Sequence, residues 1–146
     1  MNILLVEDDE VDRMLFHRAL NKAGAKCRVI DAGDGAEALE LLQSLMGGKG
    51  EAKKGQPGKG EKTVIVTDIN MPRMNGHEFM AAVREDPDLA NSIVFVYSTS
   101  GTSEDRELAY SQNVAGYLLK RGTDDALKDI GSLFDIYSRT VELPDA

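Results

Sequence analysis

The sequence predicts an α/β fold built on one parallel sheet with helices on both faces, and three observations predict it. Five short apolar runs alternate with longer segments of helical period; the runs at 3–6 and 64–66 lack polar alternation; and acidic residues end both of them. Unbroken apolar runs mark strands buried on two faces, and their alternation with helices marks parallel βαβ units.

A first strand over 2–6 rests on Ile3, Leu4, Leu5 and Val6, and a helix over 10–23 follows it. A second strand over 27–31 holds Cys27, Arg28, Val29 and Ile30, and leads into a helix over 34–46. Val64, Ile65 and Val66 carry a third strand over 63–68, before a helix over 75–85. A fourth strand over 93–98 precedes a helix over 103–112, and Tyr117, Leu118 and Leu119 mark a fifth over 116–120. The last helix, 123–139, shows its inner face as Ala126, Leu127, Ile130, Leu133, Phe134 and Tyr137, spaced by threes and fours. That face should pack on the sheet.

Between Met46 and Thr63 the pattern breaks into a segment rich in Gly and Lys. A phosphate-cradling loop needs Gly, four residues, then Gly-Lys-Ser/Thr; around Gly58-Lys59 the first place is Lys53 and the last is Gly60. The segment reads as a flexible solvated insertion over 47–62, whose lysines suit an acidic partner.

The 146 residues, 42% hydrophobic, suffice for one core and are too few for two ordinary domains. A net charge of -8 argues against non-specific nucleic-acid binding, which needs a basic face. No apolar stretch reaches the roughly 18 residues of a membrane span, and no basic region followed by an apolar run opens the chain, so a cytoplasmic protein is expected. Cys27, the single cysteine, has no disulfide partner within the chain and reads as a small packed thiol.

The chemistry lies where the runs end. Asp8 and Asp9 follow the first and Asp68 ends the third, while Lys120 ends the fifth. Carboxyl ends of neighbouring parallel strands form the edge where open α/β sheets bind ligands. Two like charges about 4 Å apart repel by roughly 4 kcal/mol at an effective dielectric of 20, so a cation belongs there. A hard divalent ion such as Mg²⁺ takes one or two carboxylates and leaves room for phosphate oxygens.

Val-Glu-Asp8-Asp9, Asp68-Ile-Asn-Met-Pro72 with Gly76, Ser98, and Gly116-Tyr117-Leu-Leu-Lys120 together resemble the receiver domain of two-component response regulators, over essentially the whole chain. The resemblance implies a flavodoxin-like, doubly wound sheet in strand order 2-1-3-4-5, with a receiver over 1–139 and a tail over 140–146. It implies a phosphoacceptor signalling protein rather than an enzyme, with Asp68 taking a phosphoryl group from a sensor histidine kinase. Mg²⁺ would be held by Asp8, Asp9, Asp68 and the backbone carbonyl of Asn70. Lys120 would pair with one phosphoryl oxygen and Ser98 would swing in to bond another, while Tyr117 changes rotamer. Asn70, Thr99 and Ser100 stand where family members tune acyl-phosphate lifetime.

Taken singly, Asp8 and Asp9 also fit N-caps of the first long helix, Asp68 a turn before Pro72, Ser98 a polar strand closure and Lys120 a solvated strand end. Independent caps have no reason to converge on one sheet edge. His17 and His77 each lie far from a second ligand and read as surface or partly buried helix positions, and Met71, Met74 and Met80 as packing residues.

One departure from the family pattern is Arg121, where most receivers have proline after the lysine; a trans bond is expected there. The stretch after Lys120 suffices for one helix and a tail, so output through protein contact is expected. The insertion, the Ser98-Thr99-Ser100 run and the Val-Glu-Leu-Pro144 ending resemble single-domain receivers paired with phytochrome sensor kinases. That resemblance implies a homodimer through the last helix and tail, with Phe134, Ile136, Tyr137, Val141 and Leu143 as its apolar surface. A chemotaxis-type or phosphate-sink receiver is the alternative. A haloacid-dehalogenase-type phosphohydrolase would need an acid where Asn70 stands. A flavodoxin would carry its hydroxyl-rich loop after the first strand, whereas Ser98 to Ser103 follow the fourth.

Overall fold

The computed structural model describes residues 1–46 and 62–144, so the Gly/Lys-rich insertion, Lys62 apart, lies outside the described residues. Strands β1 (Asn2–Val6), β2 (Arg28–Ala32), β3 (Thr63–Thr67), β4 (Ile93–Ser98) and β5 (Gly116–Leu119) alternate with five helices. These are α1 (Glu10–Ala23), α2 (Gly35–Met46), α3 (Gly76–Glu85), α4 (Ser103–Ser111) and α5 (Asp124–Thr140). The sheet runs β2-β1-β3-β4-β5 with every pair parallel, the doubly wound order the sequence implied.

Strand alternation divides the core. Leu4, Val6, Ile65, Val94 and Val96 face one side with Leu42, Phe79, Met80 and Val83, while Ile3, Leu5, Val64, Val66 and Phe95 face the other with Phe16, Leu20, Ile130 and Phe134. Because β1, β3 and β4 are covered on both faces, their middle residues had to be apolar, with polar residues only at the ends. Phe134 lies edge-on to Phe16 and Phe95, with ring centroids 5.7 and 5.5 Å away. Gly131 lets α5 lie directly on α1, since a Cβ there would stand 2.2 Å from the Ala19 carbonyl oxygen.

Helix starts differ from the sequence expectation by one residue for a local reason. Asp34, Asn75 and Thr123, each read as a first helical residue, are caps: their side chains accept the N–H of Glu37 (2.9 Å), Glu78 (2.9 Å) and Ala126 (3.1 Å). Lys120–Arg121 is trans, as are all described peptide bonds. Met80 is buried, and Met71 and Met74 pack against the core of its face. Cys27 is half-buried.

The apolar face expected on α5 and the tail is smaller than the sequence suggested. Phe134 is wholly buried, Tyr137 and Leu143 pack against the same core, and only Ile136 and Val141 of the five stand exposed. Lys62 Nζ holds the tail by donating to the carbonyls of Leu143 (3.4 Å) and Pro144 (3.1 Å). Among the described residues, no helix is long and apolar enough to cross a membrane.

Candidate functional site

The sheet order reverses between β1 and β3, and the ends of these strands open the crevice where such sheets take ligands. Val6 pairs with Thr67, and the Asp68 N–H donates to the Val6 carbonyl at 3.0 Å. The ladder thus extends by one residue, which sets Glu7 and Asp68 beside one another. Glu7, Asp8 and Asp68 each bring a carboxylate oxygen within 4.8 Å of the others.

Asp9 is not in that group. Its carboxylate accepts the Asp12 N–H at 2.9 Å and caps α1, so the cap reading fits Asp9 while Asp8 and Asp68 join the cluster. The acidic residue the sequence reading passed over is Glu7. It follows Val6 directly, as Ser98 follows Tyr97 and Lys120 follows Leu119, and the first polar residue after these three runs would have been the signal. All three oxygen donors are hard ligands at a spacing that suits a hard divalent cation.

Lys120 follows β5 directly, and its N–H donates to the Ser98 carbonyl at 2.9 Å. Its Nζ lies 3.0 Å from Asp68 Oδ2 and 3.0 Å from Asp12 Oδ2, and it also touches Glu7 Oε1. The other Asp68 oxygen accepts the Ile69 N–H at 2.7 Å. Gly76, opening α3, presses on this turn: its N–H donates to the Ile69 carbonyl at 2.8 Å, and a Cβ would stand 2.2 Å from the Asp68 carbonyl oxygen. Asp12 is a second partner that the sequence reading missed; one turn into α1, it reaches Lys120 only through the tertiary fold.

Burial pushes the Glu7 carboxyl up, the Lys120 ammonium draws it back and the Asp68 charge pushes again, leaving it at about 8 against an ordinary 4.5. Burial alone would lower the Lys120 ammonium, but Glu7, Asp68 and Asp12 outweigh it and hold Lys120 above its ordinary range. Folded protein therefore binds the Glu7 proton more tightly than the unfolded chain does. The associated stability is full below the unfolded value of 4.5 and is lost as pH rises through about 8. In urea unfolding of metal-free protein, the midpoint is expected to fall as pH is raised across this window, and Glu7→Gln to flatten the fall. A midpoint independent of pH would contradict this reading.

Ser98 is fully buried, and its Oγ accepts the Ser100 N–H at 3.1 Å. Tyr117, half-buried, donates its hydroxyl to the Ser100 carbonyl at 2.8 Å. Asn70 and Thr99 are exposed, two residues after Asp68 and one after Ser98. His17 and His77 face Asp31 and Asp105 rather than any metal-ligating cluster. Three carboxylates, an ammonium and a hydroxyl thus gather around the ends of β1, β3, β4 and β5.

A family model of the response regulator receiver domain matches residues 3–130. The chain belongs to the response regulator receiver family. This receiver is similar to the response regulator Rcp1 of Synechocystis, 31% identical over 145 residues, which are 99% of this chain and 93% of Rcp1. The crystal structure of the Mn²⁺-bound form of Rcp1 covers 98% of each chain at TM-score 0.79 and 29% identity. The phosphorylated cyanobacterial phytochrome response regulator RcpA covers 98% of this chain and 97% of its own at TM-score 0.81 and 26% identity. The chemotaxis protein CheY1 of Helicobacter pylori is 27% identical over 129 residues, 88% of this chain and 92% of CheY1. Receivers are signalling partners of sensor histidine kinases rather than enzymes. The oxygen-donor cluster of this one suits a divalent metal.

Proposed function

We propose that this receiver accepts a phosphoryl group on Asp68 from a sensor histidine kinase, with Mg²⁺ held by Glu7, Asp8, Asp68 and the backbone carbonyl of Asn70. The observation that carries the reading is Asp68 itself, with one oxygen 3.0 Å from Lys120 Nζ and its carboxylate within the acidic cluster. An Asp68 oxygen forms the new bond to phosphorus as the phosphorus–nitrogen bond to the kinase histidine breaks. The bonding pair leaves with the imidazole nitrogen, which then takes up a proton. Bound Mg²⁺ supplies neutralisation of the phosphoryl charge. Lys120 neutralises a further phosphoryl oxygen, and positioning with charge stabilisation carries most of the catalysis.

Readout begins at Ser98. To bond a phosphoryl oxygen its hydroxyl gives up the Ser100 N–H, and Tyr117 gives up the Ser100 carbonyl when its ring turns. These contacts differ between the two states, which is what a phosphorylation switch requires. Asn70, two residues after Asp68, and Thr99 and Ser100, just after Ser98, tune the lifetime of the acyl phosphate, and self-phosphorylation and self-dephosphorylation are the only chemistry this receiver performs on itself.

The similarity to Rcp1 and RcpA supports a phytochrome-type kinase as the phosphoryl donor. Similarity to CheY1 supports a chemotaxis-type role as the second reading. A homodimer through α5 and the tail rests on Ile136 and Val141; sedimentation showing a monomer at tens of micromolar would contradict it. The proposed function itself is tested by incubation with candidate kinases and Mg²⁺. A phosphate-sized mass increase is expected in the wild type and not in Asp68→Asn, and equal labelling of both overturns the assignment.

A further inference from the structure

His77, Asp105 and Ser100 form a hydrogen-bonded chain outside the acidic site, joining α3 to the loop that carries Ser98. His77 Nε2 lies 2.9 Å from Asp105 Oδ1, and the Ser100 hydroxyl donates to Asp105 Oδ2 at 2.5 Å. Asp105 sits at the third helical position of α4, whose cap Thr102 accepts the Asp105 N–H at 3.2 Å. An acidic side chain at that position ordinarily reaches back to the N-cap N–H. Here both carboxylate oxygens are taken, one by α3 and one by the loop.

Ser100 is the node. Its N–H goes to Ser98, its carbonyl accepts from Tyr117, and its hydroxyl goes to Asp105. The first two partners are the switching residues. The third tie leads through Asp105 to His77, near the start of α3, next to the glycine that presses on the Asp68 turn. His77 Nδ1 is buried with no hydrogen-bond partner among the described residues. A bare ring nitrogen is tolerated there more readily than an unmet N–H, so this geometry assigns the ring proton to Nε2, facing the carboxylate.

We infer that His77 and Asp105 act as a latch: positioning residues that fasten the Ser100 hydroxyl and so hold the loop after β4 in the arrangement in which the Ser98 hydroxyl takes the Ser100 N–H. The inference rests on the phosphoacceptor reading above. When Ser98 turns towards Asp68, Ser100 loses its N–H partner, and its hydroxyl keeps the Asp105 tie at 2.5 Å, with Thr102 Oγ1 a longer 3.4 Å away, to resist movement of the loop. Releasing that tie raises the population of the phosphorylation-ready arrangement, and a small phosphodonor reacts faster in proportion.

Two measurements test this. The first is the rate of mass increase on Asp68 with acetyl phosphate and Mg²⁺. Asp105→Ala and Ser100→Ala are each expected to raise it by about three- to tenfold, and the double variant by no more than either alone, because both open one latch. His77→Ala is expected to raise the rate in part. His77→Gln, whose amide donates from the place of Nε2, is expected to keep the wild-type rate. Unchanged rates, or additive effects of Asp105→Ala and Ser100→Ala, overturn the latch.

The second measurement needs no phosphorylation: amide hydrogen exchange over residues 99–102 of the unphosphorylated protein. Exchange is expected to quicken several-fold in Asp105→Ala and to stay unchanged in His77→Gln. Equal exchange in Asp105→Ala and wild type overturns the latch even if no phosphoryl group is accepted. Absence of labelling in wild type counts against the phosphoacceptor reading instead, so the two failures are distinct.

Discussion

Replacing Glu7 by Gln is expected to weaken Mg²⁺ binding by about ten- to a hundredfold, whereas Asp9→Ala should leave it within about threefold. Glu7 offers a buried carboxylate oxygen beside those of Asp8 and Asp68, and a unit charge about 4 Å from a divalent cation is worth roughly 8 kcal/mol at an effective dielectric of 20. Part of that is spent displacing the Glu7 proton and the Lys120 ammonium, which leaves the smaller net loss. Asp9 spends its carboxylate on the Asp12 N–H, so its removal should instead cost about 1 kcal/mol of stability as a lost cap. Calorimetric Mg²⁺ titration and urea unfolding separate the two effects. Weak binding in Asp9→Ala with normal binding in Glu7→Gln would restore the pair Asp8 and Asp9 as ligands.

Gly76→Ala is expected to cost about 2 kcal/mol or more and to impair the site together with the fold. In an open helix the same change gains about 1 kcal/mol, since Gly is a poor helix former. Here the new Cβ would stand 2.2 Å from the Asp68 carbonyl oxygen and 2.8 Å from the Ile69 Cα, so backbone must move and the overpacking cost exceeds the gain. The moved backbone is the turn that aims the Asp68 carboxylate. Mg²⁺ affinity and phosphoryl acceptance should therefore fall with stability. Gly24→Ala is the comparison: Gly24 has φ +71 with open space around it, so that variant should lose about 1 kcal/mol without touching the site. A stable Gly76→Ala with unaltered Mg²⁺ binding would contradict this packing.

The fold was legible because its three central strands are buried on two faces. Unbroken apolar runs at 3–6, 64–66 and 117–119 mark strands whatever covers them, and the helical period of Ile130, Leu133, Phe134 and Tyr137 marks the face that covers one side. Boundaries slipped by one residue where Asp34, Asn75 and Thr123 cap helices, because a cap and a first helical residue are the same letter in a sequence.

The acidic cluster was legible in kind, and the fold groups it one residue earlier than the sequence suggested, with Glu7, Asp8 and Asp68 together and Asp9 on the α1 cap. Three adjacent acids, Glu7, Asp8 and Asp9, leave the choice of ligand pair to the point where β1 stops, and that point depends on the Asp68 N–H reaching Val6 across the sheet. Asp12 on Lys120 and Asp105 on Ser100 and His77 were not legible, since each joins elements that meet only in the folded chain. The apolar surface left for a partner was overstated for the same reason: helical period places Phe134 on the inner face of α5 without saying how much of that face the sheet and α1 will cover.

The most direct measurement is to locate the covalent phosphoryl group. After reaction with a kinase and Mg²⁺, borohydride reduction converts an aspartyl phosphate to homoserine, and peptide mapping then finds the converted residue. Conversion at Asp68 is the expected result, dependent on Mg²⁺ and diminished by Glu7→Gln. Conversion at Asp8, Asp9 or Asp12 in place of Asp68 would contradict Asp68 as the acceptor, and conversion at Asp68 to the same extent without Mg²⁺ would contradict the acidic cluster as the metal seat.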